Sequence, residues 1–305
     1  MTAPILTGTC SWTDPTLIEC GRFYPRKGMT ARERLVHYAE RFPIVEVDST
    51  FYAPPTERNA RLWAERTPPG FVFDVKAFAL LTGHGARPDR LPPELRDTLA
   101  KPPRATDRTR PPNVYLRHLT PAGIEALWEL HRAALRPLRE AGKLGALLFQ
   151  FAPWFRKNAR SERYLAGLRR RLPDDRIAVE FRGGGWMEPE AAEATLALLE
   201  RHGLAYVSVD EPQGFATSTP PVAAVTGGLA YVRFHGRNAA TWEARTSCAS
   251  DRFNYLYSED ELREWAPRIR ELACAADATH VLFNNNYQDV GIRNARQMTL
   301  LLTED

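Results

Sequence analysis

Lysine and cysteine are both scarce in this 305-residue chain, and each scarcity excludes something. Only five of the 41 basic residues are lysine (Lys27, Lys76, Lys101, Lys143 and Lys157), so arginine carries the positive charge. A bias spread over a whole chain says little about a binding site, so the place of each basic residue matters more than the total. The four cysteines (Cys10, Cys20, Cys248, Cys274) are far apart and show no C-x-x-C spacing. That excludes a thiolate zinc site and a dithiol redox centre, and the cysteines read as free thiols. No run of about eighteen apolar residues occurs, so no membrane span is expected. "MTAPILTGTC" lacks the basic lead and apolar core of a signal peptide, and a cytoplasmic location is the expectation.

What is present is ordinary in amount and unusual in position. Hydrophobic residues at 44% and charged residues at 26% are those of a folded protein, and the formal net charge is +4. Eight short apolar runs recur: "ILTGT" (5–9), "IVEVD" (44–48), "FVFDVK" (71–76), "LGALLFQF" (144–151), "IAVEF" (177–181), "AYVSVD" (205–210), "AYVRF" (230–234) and "HVLFN" (280–284). Between them lie amphipathic stretches, among them 30–42, 123–142, 188–203 and 258–276. Ser258 with Glu261 forms a capping-box pattern, and Pro267 is expected to kink or interrupt the last of these helices. Near-continuous apolar strands alternating with helices indicate a parallel sheet buried on both faces, and eight is the number that closes a barrel. The fold class is therefore α/β, a single (β/α)8 TIM-like barrel spanning 1–305. An open doubly wound sheet is the alternative, but "GGG" at 183–185 has no G-x-G-x-x-G frame and follows the fifth strand, not the first.

One segment interrupts the rhythm. Residues 84–118, after the third strand, hold seven of the 24 prolines and eight basic residues against four acids. The basic residues are Arg87, Arg90, Arg96, Lys101, Arg104, Arg108, Arg110 and Arg117. The segment reads as an insertion within the barrel, either an electropositive lid or a proline-stiffened solvated loop.

In such a barrel every strand's C-terminal end faces one mouth, so the strand exits can be read off directly. They supply Trp12 beside Cys10; Glu46, Asp48 and Tyr52; Lys76; Gln150; Glu180 and Arg182; Asp210; Arg233, His235, Arg237 and Asn238; and Asn284, Asn285 and Asn286. His84 follows just beyond the third exit. Charges clustered at one end of a buried barrel are costly unless they pair with one another or with a substrate. Strand alternation puts Glu46 with Asp48, and Glu180 with Arg182, on shared faces. The competing reading of these residues is a set of ion pairs that closes the barrel top. Glu46, Asp48, Glu180, Asp210 and His235 are also metal-ligand types. With no H-E-x-x-H or D-x-D-x-D pattern, and arginines beside them, no cofactor is expected; a divalent metal is the alternative.

Several blocks resemble the DUF72 family (the YecE-like proteins): "GTCSW" (8–12), "VEVDSTFYAPP" (45–55), "FVFDVKAFALLTGH" (71–84), "LGALLFQFAPWF" (144–155), "VEFRGGGW" (179–186), "YVRFHGRN" (231–238) and "FNNN" (283–286). The resemblance covers nearly the whole chain and implies a TIM-like barrel related to sugar isomerases, without a reaction or catalytic assignment. Ser11 stands where the family's first block often has glycine.

The expectation is an enzyme acting at the barrel mouth on a small anionic substrate, phosphorylated or sugar-like, by acid–base chemistry. Glu46 and Glu180 are the expected proton-transfer carboxylates, with Lys76 a further catalytic candidate and His235 a shuttle. Lys76, Arg182, Arg233 and Arg237 would hold the anion, Asn284 and Asn286 would orient hydroxyls, and Asp48, Asn238, Tyr52, Trp12 and His84 would complete the binding surface. The alternatives are a nucleic-acid-binding or nucleic-acid-processing protein using a basic, aromatic groove, and a barrel that serves only as an interaction scaffold.

Overall fold

The computed structural model describes residues 4–100, 112–244 and 249–304. Cys248 and the insertion's Lys101, Arg104, Arg108 and Arg110 lie outside the described residues. Eight strands are present: β1 (Ile5–Thr9), β2 (Ile44–Val47), β3 (Val72–Lys76), β4 (Leu144–Gln150), β5 (Arg176–Glu180), β6 (Leu204–Asp210), β7 (Leu229–Phe234) and β8 (Ala278–Phe283). They pair in chain order, all parallel, and β1 pairs with both β2 and β8, which closes the barrel. Among the described residues no helix is long and apolar enough to cross a membrane.

Local chemistry sets the helix starts. Thr30 with Glu33 and Ser258 with Glu261 form capping boxes on the helices Ala31–Ala39 and Glu259–Cys274. The helix Pro121–Glu140 begins with a Thr120 cap and proline at its first position, where the missing N–H costs nothing. Pro267 does not interrupt its helix, which continues through it to Cys274.

The link from β6 to β7 departs from the strand–helix rhythm. Residues 211–228 form no helix. Pro212, Pro220 and Pro221, with Gly214, Gly227 and Gly228, deny this segment a helical run. The segment is tied to β6 instead: Thr226 Oγ1 donates to the Leu204 carbonyl (2.7 Å) and accepts from the Tyr206 N–H (2.8 Å).

The described parts of the insertion pack onto the barrel. Ala86 pairs with Val114 and Leu99 with Leu119 as antiparallel bridges, while Leu91, Leu95 and Val114 join the main core. That core lies between the strands' outer faces and the helices. A second, smaller apolar cluster fills the barrel interior, from Ile44, Ala146, Leu148, Ala178, Ala205, Val207, Val209, Leu229, Tyr231 and Leu282. Alternation then assigns Glu46, Glu180 and Arg233 to the same inner face as Ile44, Ala178 and Tyr231.

β1 approaches β2 so closely that a Cβ on Gly8 would stand 2.1 Å from the Ile44 carbonyl oxygen. Gly8→Ala is expected to lose roughly 1–3 kcal/mol of stability by forcing the strands apart. Urea denaturation measures it, and a variant as stable as the parent would refute the close approach.

Candidate active site at the barrel mouth

The upper interior holds a fully buried charged network. Arg233, without exposed surface, donates from Nη2 to Glu46 Oε1 (2.7 Å) and from Nη1 to Glu180 Oε2. Tyr231 Oη donates to the second Glu46 oxygen at 3.0 Å. Glu180 Oε1 accepts from Gln150 Nε2 (2.6 Å) and from His235 Nε2 (3.0 Å). Asn284 Nδ2 in turn donates to His235 Nδ1 at 2.9 Å, which fixes the histidine as the tautomer with its proton on Nε2. Burial pushes His235 down to about 4, so it is neutral near pH 7. Glu180 is held well below the usual carboxylate range: burial opposes this, but Arg233, His235 and Arg182 outweigh it. Glu46 is shifted upward, because burial outweighs Arg233. Cys10 Sγ sits 3.6 Å from Arg233, yet burial and Glu46 raise its thiol well above the usual value, which disfavours the thiolate.

Above this network the mouth is lined by groups with partial access to solvent. Lys76 Nζ pairs with Asp48 at 2.7 Å and lies 4.9 Å over the Phe51 ring. The turn that carries Asp48 is fastened by Thr50 Oγ1, which reaches the carbonyls of Val47 and Lys76. Arg182 Nη1 binds Glu211 at 2.9 Å and stands 3.6 Å from Glu180, with its guanidinium stacked 4.5 Å from the Trp242 ring. His84 contacts Phe51 and Trp154, and is pushed down to about 4 by burial and then by Lys76 and Arg182. Asn286 reaches Asn284 at 3.4 Å, and Tyr52, against Phe51, leaves 59% of its surface exposed. Two buried N–H groups of the site, Arg233 Nε and Trp242 Nε1, have no acceptor among the described residues. No cluster of three or more His, Cys, Asp and Glu suited to a metal ion occurs among the described residues.

Four expected residues stand elsewhere. Trp12 packs in the outer core against Trp63 and Phe73, at ring distances of 6.0 and 6.4 Å. Arg237 forks onto Asp210 (2.8 and 3.0 Å) and adds Glu261 (3.3 Å) and Glu264 (3.0 Å). Asp210 also accepts from Tyr257 Oη and Trp265 Nε1, so it belongs to the barrel's outer face. Asn238 bonds the Asn254 carbonyl. Simple alternation would put Arg237 on the face of Arg233 and His235, but Gly236 adopts φ 86° and turns the chain outward. A Cβ there would lie 2.8 Å from Tyr255, so the glycine serves the turn. The carboxyl that β6 does send inward is Glu211, one residue past Asp210. It binds Arg182 and the Thr219 N–H (2.7 Å), and burial pushes it up to about 7. The alternation of Val207, Val209 and Glu211 carried that signal in the sequence.

Residues 6–305 match the family model described as "Protein of unknown function DUF72". The chain belongs to the DUF72 family. Among its relatives, the UPF0759 protein YunF of Bacillus subtilis (strain 168) is 31% identical over 302 residues, covering 98% of this chain and 94% of YunF. A crystal structure of a DUF72 protein from Enterococcus faecalis V583 is 25% identical with a TM-score of 0.77, covering 99% of this chain and 96% of its own. Another, from Thermotoga maritima MSB8, is 29% identical with a TM-score of 0.75, covering 98% and 99%. The barrel of this DUF72 chain is thus shared by its relatives.

Two outcomes test the network of this DUF72 protein. Arg233→Met leaves Glu46 and Glu180 buried without their cation and is expected to cost about 3–5 kcal/mol, read by urea denaturation; a loss below about 1 kcal/mol would contradict the buried triad. His235 is neutral in the fold but protonates below about pH 6.5 when unfolded, so it makes stability fall as pH drops from about 6.5 toward 4. His235→Gln should flatten that part of the stability–pH curve, and an unchanged curve would show that His235 is not buried neutral.

Proposed function

We propose that this chain is an enzyme that carries out acid–base chemistry at its barrel mouth, on a small, sugar-like substrate bearing one anionic group. The observation that carries this reading is the Glu46–Arg233–Glu180–His235–Asn284 chain, buried in the upper interior, while below it the interior is apolar apart from the buried Asp74–His280 pair. Each buried ion costs several kcal/mol of desolvation, and a barrel needed only as a scaffold is as stable or more so with apolar residues there. Such costs are characteristic of sites that hold a reacting geometry.

The hydrogen-bond partners of the two glutamates shift the roles expected of individual residues. Both oxygens of Glu46 and of Glu180 are taken up by donors, so in this reading the two carboxylates position Arg233, Gln150 and His235. Proton exchange with the substrate falls to the Lys76–Asp48 pair at the rim, where the Asp48 side chain is 26% exposed. Arg182, stacked on Trp242, takes the anionic group. Because Lys76, Arg182 and Arg233 each already have a carboxylate partner, a single anionic group fits better than several. Gln150, Asn286 and the exposed Tyr52 ring suit hydroxyls and a sugar face. The nucleic-acid alternative receives less support: Arg87 is paired with Asp89, and Arg96 is engaged by the carbonyls of Leu91 and Asp89.

The test is a thermal-shift panel of neutral sugars, sugar phosphates and sugar acids. At least one anionic sugar is expected to raise Tm, more strongly at pH 6 than at pH 8, because protonation of Glu211 releases Arg182. Lys76→Met and Arg182→Met should each weaken that binding by about tenfold or more while keeping the circular-dichroism spectrum. No shift with any compound, or full binding by both variants, would refute the reading.

A further inference from the structure

Beside the mouth lies a groove of about 440 Å³, between the end of the insertion and the loop that follows β4. Its walls include Tyr115, Arg117, Trp154, Arg160 and Tyr164, and among the described residues no acidic residue lines it. Two features set it apart from the rest of the barrel top. Trp154 leaves 59% of its surface exposed, although its Nε1 is fastened to the Gly83 carbonyl at 2.9 Å. An indole held rigid with its face open forgoes burial that a core tryptophan gains, and offers a flat stacking surface at little entropic cost. Arg117 and Arg160 have no carboxylate partner among the described residues, whereas Arg182 and Arg233 at the mouth are each paired. Arg117 is nonetheless oriented, with its guanidinium 4.4 Å from the Tyr115 ring. Tyr164, on the groove's inner wall, is tied by its hydroxyl to the Leu81 carbonyl at 2.6 Å.

We propose that this groove binds a planar ring carrying a phosphate, a ligand of the mononucleotide class, with Trp154 stacking on the ring and Arg117 and Arg160 holding the phosphate. Unpaired guanidinium groups match phosphate geometry, and an exposed indole matches an aromatic base. The volume lies within the range of small-ligand sites. Contiguity with the mouth follows from Trp154, whose ring lies 5.7 Å from His84. A ligand seated here places its ring next to the reacting end of the barrel, while its phosphate lies away from the paired cations of the mouth.

Isothermal titration with the four common nucleoside monophosphates, adenosine and inorganic phosphate tests the site directly. At least one mononucleotide is expected to bind more tightly than either adenosine or phosphate alone. Arg117→Ala, Arg160→Ala and Trp154→Ala should each weaken it by about tenfold, with unchanged Tm and circular dichroism as the check on folding. Lys76→Met separates this site from the mouth: nucleotide binding that survives in it and fails in the groove variants supports the groove, whatever the sugar panel shows. The proposal is overturned if no mononucleotide binds at millimolar concentration. It is also overturned if binding is lost in Lys76→Met but kept in Arg117→Ala and Arg160→Ala, or if a single-stranded oligonucleotide binds far more tightly with a steep salt dependence.

Discussion

The Arg233 guanidinium between Glu46 and Glu180 is the interaction on which the upper barrel depends. Three fully buried ionised groups from β2, β5 and β7 balance one another only as a set, because each alone would face a desolvation cost of several kcal/mol. Their mutual pairing fixes the inward positions of three strands at the level where the mouth opens. Tyr231, Gln150, His235 and Asn284 then satisfy the remaining carboxylate and imidazole valences, which spreads the constraint to β4 and β8. A neutral His235 with a defined tautomer is one consequence; a Glu180 that keeps its charge over a wide pH range is another.

Charge at the barrel top is sorted into layers. In the deepest layer both glutamates are fully engaged, the rim holds ion pairs with partial solvent access, and Arg117 and Arg160 in the lateral groove have no carboxylate partner among the described residues. This order separates positioning from exchange. In the proposed reading a fully engaged carboxylate orients its neighbours, the largely buried Lys76–Asp48 pair exchanges the proton, and a guanidinium without a carboxylate partner takes the anion. Glu211 stands at the boundary, since a carboxyl pushed up to about 7 changes charge near neutral pH and alters how firmly it engages Arg182.

Much of this was legible in the residues. Eight apolar runs announce the eight strands, strand ends place Glu46, Glu180, Arg182 and Arg233 at one mouth, and period-two alternation puts Glu180 and Arg182 on a shared face. The competing expectation, ion pairs that close the top, describes Arg233 and its two glutamates well, so part of the expected anion site is occupied by the protein's own carboxylates. Alternation failed where a single backbone angle intervened: Gly236 reverses the face of Arg237, and nothing in "FHGRN" states the sign of its φ. At β6, the apolar run points to Asp210 as the exit, whereas Glu211, one residue on, continues the inward series. The missing helix between β6 and β7 was written in three prolines and three glycines, but strand spacing alone does not demand a helix there.

The sequence by itself determined the strand number, the parallel closed barrel and the clustering of ionisable side chains at strand exits, because these follow from local periodicity. The tertiary structure decided which charges pair with one another and which are left without a carboxylate partner. Pairing depends on distances between strands far apart in the chain, as when β7 brings Arg233 to a glutamate 187 residues away, and on turns such as that at Gly236. It also decided that Trp12 is core and Trp154 is surface, since both follow strand exits and only packing against Trp63 and Phe73 distinguishes them.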